Sequence, residues 1–232
     1  VRSSAASDVY KRQEEVLYFN SGNSGGCRPK CLLHDTEGAW LVKFRHTYDP
    51  KDMGAMEYRY NEVARKCGIT VPDFKLMDGK YFATKRFDIE NGIRYHIATA
   101  GALLNESIMQ PRLDYKTLLH LVGYLTQDPK QVDEMFRRMV FNVLTDNKDD
   151  HAKNFSFIYK EGNWALAPAY DLTRCNNGYN GEHATSVNNH GNPTIEDMLI
   201  VGESIRIPRK KGKEMILTIA EGCAELLSKK GI

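Results

Sequence analysis

The stretch FNVLTDNKDDHAKNFSFIYKEGNWALAPAYDL (Phe141–Leu172) runs through three kinds of structure in succession. It opens on the end of an apolar helical pattern, Val132–Leu144. There Val132, Met135, Phe136, Met139, Val140 and Val143 recur at spacings of three and four, as on one broad helix face. A polar loop follows, Thr145–Asn154, dense in Asp, Asn and Lys. Phe155–Tyr159 and Trp164–Leu166 then flank Glu161–Gly162 and read as a hairpin, closed by Pro168–Asp171. A buried helix, a polar loop and a hairpin in that order hold carboxylates and amides on a rigid frame.

Upstream the texture is that of strands. Val16–Asn20, Cys31–Leu33 and Trp40–Phe44 read as strands, with glycine-rich Ser21–Gly26 after the first and a turn at Asp35–Gly38 joining the other two. Ala55–Lys66 is amphipathic, with Met56, Tyr60, Val63, Ala64 and Cys67 on one face. Gly68 stands where a helix C-cap is wanted, and Pro72 forbids continuation. Phe74–Met77 and Tyr81–Arg86 are two further strands around Asp78–Gly79. Beyond Phe87 the reading is helical, with helices at Tyr115–Tyr124, Val132–Leu144, Ile195–Gly202 and Lys211–Leu227 and an irregular stretch at Arg174–Pro193. The expected fold is α+β and bilobal. Residues 14–90 form a small antiparallel β lobe with one helix and the glycine loop. Residues 91–232 form a mainly helical lobe with the polar loop and hairpin, and a cleft lies between the two. Residues 1–13, polar and without periodicity, read as a disordered tail or a scar of cloning.

Composition narrows the class. Of 232 residues, 41% are hydrophobic and 27% charged, and twelve Tyr and nine Phe supply a core, which excludes a disordered chain. Apolar runs such as Met198–Val201 are far shorter than the roughly 20 residues of a membrane helix. Lys and Arg number 32 against 30 Asp and Glu, so charge alone selects neither nucleic acid nor membrane. The five cysteines are scattered and odd in number, which reads as reduced thiols in a cytoplasmic protein.

Within the polar loop Asp149 precedes Asn154 by five positions, the D-x-x-x-x-N spacing of a kinase catalytic loop. One carboxylate accepts the proton of an attacking hydroxyl, and an amide further on turns to the metal that bridges the phosphates. A second carboxylate, here Asp171 beyond the hairpin, reaches the same metal. Asp146 and Asp150 compete with Asp149 as base, and spacing selects Asp149. Gly22, Gly25 and Gly26 permit close approach of backbone N–H groups to phosphate, without the Walker pattern of a P-loop NTPase. Lys43 lies in an apolar strand and either faces solvent or binds phosphates. In the second case it needs a carboxylate to hold it, Glu57 or, further along the helix, Glu62. His151 reads as a hydrogen-bonding scaffold rather than a metal ligand. Lys153 either reaches a γ-phosphate or is solvated. The basic run Arg206–Lys213 reads as a water-exposed flank of a helix.

Phe141–Leu172 resembles the signature of HipA-type serine/threonine kinases, the toxins of bacterial toxin–antitoxin pairs. GGCRPK (Gly25–Lys30), EYRYNEVARKCGITVP (Glu57–Pro72) and KRFD (Lys85–Asp88) are similar to the same family's glycine loop, small-lobe helix and hinge. The resemblance spans about Leu17 to Leu227 and implies a protein-kinase-like fold using ATP and Mg2+. It implies Asp149 as catalytic base and Asn154 and Asp171 as metal ligands. It places Gly25, Gly26, Cys27, Arg28, Pro29 and Lys30 over the phosphates and Lys43 on them. Lys85, Arg86 and Phe87 would form the hinge beside adenine, and His151, Lys153 and Tyr170 would line the nucleotide pocket. It further implies a protein substrate, an aminoacyl-tRNA synthetase phosphorylated on serine, with growth arrest as the outcome. A helix-turn-helix antitoxin would be the partner, with DNA contact mainly through it. Two features depart from the family. No N-terminal subdomain precedes the glycine loop, so the chain resembles a short or truncated member, and a separately encoded subdomain protein is an expected partner. The position of the family's autophosphorylated serine holds Asn23, with Ser21 and Ser24 beside it. The rival expectations are a catalytically impaired kinase-like binding module and a small-molecule phosphotransferase.

Overall fold

The computed structural model describes residues 28–46, 49–107 and 109–227. The expected strand Val16–Asn20, the glycine loop and the candidates Gly25, Gly26 and Cys27 lie outside the described residues, as does the 1–13 tail.

Four strands, β1 (Lys30–Asp35), β2 (Gly38–Lys43), β3 (Phe74–Met77) and β4 (Tyr81–Lys85), form an antiparallel sheet in the order β1-β2-β4-β3. The turns are written in the sequence. Asp35 Oδ1 accepts from Glu37 N at 2.8 Å and Gly38 N at 3.1 Å, an Asx-type closure of the β1–β2 hairpin. At the β3–β4 turn, Asp78 and Gly79 take φ of 49° and 66°. Both central residues are left-handed, as the twist of a tight hairpin demands. Cys31, Trp40, Val42, Phe44 and Ala83 form a buried cluster on this sheet. Helix α1 (Met53–Lys66) follows β2, and Gly68 at φ 72° ends it as expected.

Beyond Phe87 the chain holds strands besides the expected hairpin. β5 (Ile89–Glu90) and β6 (Ile93–Arg94) make a minimal hairpin around Asn91–Gly92, whose φ values are 51° and 78°. β7 (His96–Thr99) pairs with β8 (Ser156–Lys160), which pairs with β9 (Asn163–Leu166), so the expected hairpin is part of a three-stranded sheet. Thr99 also caps the short helix α2 (Ala100–Leu103), accepting from Ala102 N at 3.1 Å.

Helices α3 (Tyr115–Thr126) and α4 (Pro129–Thr145) start on Asp114 and Asp128, each accepting a backbone N–H of its own first turn. Pro129 occupies the first turn of α4, where its missing N–H costs nothing. α4 is the core helix: Met135, Phe136, Met139, Val140 and Phe141 are all fully buried. α5 (Ile195–Ser204) and α6 (Arg209–Gly222) pack around it, and a break at Cys223 separates the short α7 (Ala224–Leu227) from α6, where one helix was expected.

The molecule divides into two compact units, one of residues 28–58 with Asp73–Arg86, the other of Arg59–Pro72 with residues 87–227. The expected boundary at residue 90 therefore differs in two places. Phe87 and the β5–β6 hairpin belong to the second unit. So does the later half of α1, because Tyr60 donates to the Thr145 carbonyl at 2.9 Å and Thr70 N donates to Glu134 at 2.9 Å. The expected α+β class holds. No helix among the described residues is long and apolar enough to cross a membrane.

Candidate functional site

In the first unit the sheet and α1 bring Lys43 and Glu57 together. Lys43 ends β2, opposite Phe82 of β4, and its Nζ bonds Glu57 Oε1. The Lys43 side chain is 10% exposed and that of Glu57 2%. Glu62, the other candidate, faces solvent on α1. Both members of the pair line a cavity of about 350 Å³, with Arg28, Arg45, Lys51 and Lys80 also on its wall. A buried ion pair is poor value for stability, since desolvation offsets most of its Coulomb gain. Its effect here is positional: it fixes one ammonium at the wall of a cationic cavity. Arg28 is held by Asp49 at 2.9 Å, and the Pro29 carbonyl accepts from Phe44 N at 2.8 Å, while Lys30 sits opposite Lys43 in the β1–β2 register. Arg86 N donates to the Ala39 carbonyl at 2.8 Å and Lys85 reaches Asp73 at 3.9 Å. The division between units falls between Arg86 and Phe87, inside the expected hinge.

In the second unit α4 stops where Asp146 turns left-handed, at φ 55°. The loop that follows is pinned by Asp150, whose side chain has no exposure. Asp150 Oδ2 accepts from Tyr115 Oη at 2.9 Å and meets His183 Nδ1 at 2.9 Å, while Oδ1 accepts from Thr185 N at 3.2 Å. Burial, and after it the Asp150 charge, holds the Tyr115 hydroxyl well above the usual phenol range, so it stays a donor. Asp150→Ala strands those buried donors and is expected to cost at least about 3 kcal/mol, read as a lowered urea midpoint.

With Asp150 turned inward, Asp149 points out: its side chain is 58% exposed, and His151 Nε2 lies 3.9 Å from its Oδ1. His151 Nδ1 is enclosed and has no hydrogen-bond partner among the described residues. Ala152–Asn154 form a 3₁₀ turn, and Asn154 Nδ2 donates to the Asp149 carbonyl at 2.8 Å. A carbonyl can only accept, so this bond fixes the amide orientation and leaves Oδ1 as the Asn154 atom available to a cation. Lys153 is exposed. Tyr170 stacks on Phe87 with centroids 5.9 Å apart, and its hydroxyl donates to the Lys153 carbonyl at 2.6 Å. Burial pushes that hydroxyl's pKa up to about 12. Asp171 follows with φ 55°, outside any helix cap or tight turn, a conformation a non-glycine residue adopts at a cost.

As the expected metal ligands, Asn154 and Asp171 would offer a cation oxygen donors. Asn154 Oδ1 and the Asp171 carboxylate are oxygens, and among the described residues no group of three or more His, Cys, Asp and Glu could hold a metal. Two protein oxygens completed by water and phosphate would be a ligand set of the kind Mg2+ accepts.

Residues 22–227 match the family described as the HipA-like C-terminal domain. The chain belongs to that family. Among relatives of this HipA-like chain, the Sinorhizobium fredii protein named "Putative kinase Y4dM" is 29% identical over 174 residues, covering 66% of the chain. A Haemophilus influenzae protein named "Putative kinase" is 33% identical over 89 residues, covering 38% of it. The chain spans 41% and 25% of the lengths of these relatives. Its fold is that of HipA in the Shewanella oneidensis complex of HipA, HipB and operator DNA, with a TM-score of 0.75 at 18% identity, over 97% of this chain and 63% of that one. It is also that of the Helicobacter pylori proinflammatory kinase CtkA, with a TM-score of 0.59 at 16% identity, over 90% and 88% of the two chains. The HipA-like chain thus has an α+β kinase-like fold.

Sequence reasoning missed the anchors of the loop. Tyr115, His183 and Thr185 converge on Asp150 from 33 to 35 positions away, and no local spacing announces them. Within the basic run Arg206–Lys213, Arg209 pairs with Glu196 and Glu203, and Lys211 with Asp133.

Proposed function

We propose that this HipA-like chain is a protein serine/threonine kinase that transfers the γ-phosphoryl group of ATP with the help of Mg2+. The observation that carries the reading is the enclosed Lys43–Glu57 pair on the wall of a cavity rich in cations. Such a pair fixes a phosphate-binding ammonium and contributes little else. The exposed Asp149 and the oriented Asn154 amide support it from the second unit.

In the proposed reaction Lys43 neutralises the α and β phosphates, and residues 25–30 are assigned contact with the same phosphates. Asp149 orients the acceptor hydroxyl and takes its proton as the new P–O bond forms and the bond to the departing ADP oxygen breaks. Asn154 and Asp171 would hold Mg2+, which when bound neutralises charge on the phosphate oxygens. Phe87, with Lys85 and Arg86 before it, sits beside adenine. Tyr170, His151 and Lys153 are the proposed nucleotide contacts of the second unit. Positioning and charge neutralisation supply the rate.

By likeness to HipA-type kinases, the proposed substrate is a serine of an aminoacyl-tRNA synthetase. The Shewanella HipA is seen with HipB and operator DNA. A small DNA-binding antitoxin is the corresponding proposed partner here, with DNA contact mainly through it. Incubation with γ-labelled ATP, Mg2+ and a panel of synthetases and aminosugars tests substrate class. Label on serine or threonine of a protein is expected, and label on sugars alone contradicts the reading.

A further inference from the structure

Tyr170 spends its hydroxyl on the polypeptide chain. Its proton goes to the Lys153 carbonyl at 2.6 Å, so the Ser156 hydroxyl, 2.5 Å away, must be the donor in the second bond. Ser156 is buried, on β8, and the Tyr170 ring is held by Phe87. The hydrogen-bond direction Ser156 to Tyr170 to Lys153 is therefore determined by the partners. The covalent neighbours give the bond its meaning. The Lys153 carbonyl belongs to the peptide that carries Asn154, and Tyr170 is bonded directly to Asp171. One side chain thus ties the backbone of the 3₁₀ turn to the backbone that holds Asp171 at φ 55°.

The geometry points to Tyr170 as a positioning residue that sets the spacing of the two metal-holding side chains, Asn154 and Asp171. This rests on the proposed kinase reading and deepens it by assigning the hydroxyl a role apart from nucleotide contact. Without the hydroxyl the ring can still stack on Phe87 and flank a nucleotide, but the turn and the Asp171 backbone lose this tie. Loss of a partner that orients metal ligands weakens metal affinity, typically ten- to a hundredfold.

The test uses Tyr170→Phe in the full chain. Mn2+ is titrated in the presence of a non-hydrolysable ATP analogue, with free Mn2+ read from its EPR signal. Metal-free affinity for the same analogue is measured in EDTA. The Mn2+ dissociation constant is expected to rise about tenfold, with metal-free nucleotide affinity held within about twofold of native. Unchanged Mn2+ affinity in Tyr170→Phe, with affinity lost in Asp171→Ala, overturns the clamp and leaves the kinase reading standing. An equal fall in metal-free nucleotide affinity also overturns the clamp, since the hydroxyl would then be acting on nucleotide. Undiminished Mn2+ affinity in Asp171→Ala overturns the metal reading and the clamp with it.

Discussion

Asp149→Asn is expected to slow phosphoryl transfer about a thousandfold while leaving the fold and the KM for ATP nearly unchanged. The amide matches the carboxylate in shape but cannot take the proton of the acceptor hydroxyl. The side chain is 58% exposed, so the substitution strands no buried charge. The backbone around it is fixed by other groups: the Asn154 amide holds the Asp149 carbonyl, and the buried Asp150 side chain anchors the next residue. Stability within about 0.5 kcal/mol of native is therefore expected. Steady-state kinetics and a urea titration on the same preparation check both halves. A fall in kcat with matching loss of kcat/KM marks an interaction made only in the transition state. Activity near the native level assigns the base elsewhere.

The second large effect separates stability from activity at the Lys43–Glu57 pair. Lys43→Met leaves the Glu57 carboxylate, whose side chain is 2% exposed, buried without its ammonium. That is expected to cost about 3 kcal/mol or more, because an uncompensated buried charge is more expensive than the pair it came from. Lys43→Met/Glu57→Leu removes both charges and is expected to recover most of the lost stability. Neither variant is expected to transfer phosphate, since the ammonium on the phosphates is gone in both. Urea midpoints of the native chain, the single variant and the double variant give the first comparison, and label transfer gives the second. A double variant that regained activity along with stability would show that the pair serves only the fold.

Several features of the fold are legible because short-range chemistry decides them. Asp35–Gly38 and Asp78–Gly79 are turns that the backbone demands, and Gly68 ends α1 by adopting a conformation most residues avoid. β5 and β6 are two residues each, too short to show alternation, although Asn91–Gly92 carried the tight-hairpin signal. β7 went unread for another reason. HIAT runs straight into a helix capped by Thr99, and the strand it pairs with lies about sixty positions on, at Ser156–Lys160. The same contrast holds at the candidate site. Spacing singled out Asp149 because its relation to Asn154 is local. The burial of Asp150 depends on Tyr115, His183 and Thr185, so tertiary structure alone shows which of two adjacent aspartates faces water.

The central claim is that the carboxylates of the polar loop and of Asp171 serve metal-assisted transfer from ATP. Its most direct test is label transfer from γ-labelled ATP by the purified chain, with Mg2+ and with EDTA, beside Asp171→Ala. Label on serine or threonine is expected for the native chain with Mg2+, and none in EDTA or with Asp171→Ala. Equal labelling by Asp171→Ala, or by the native chain in EDTA, contradicts the claim.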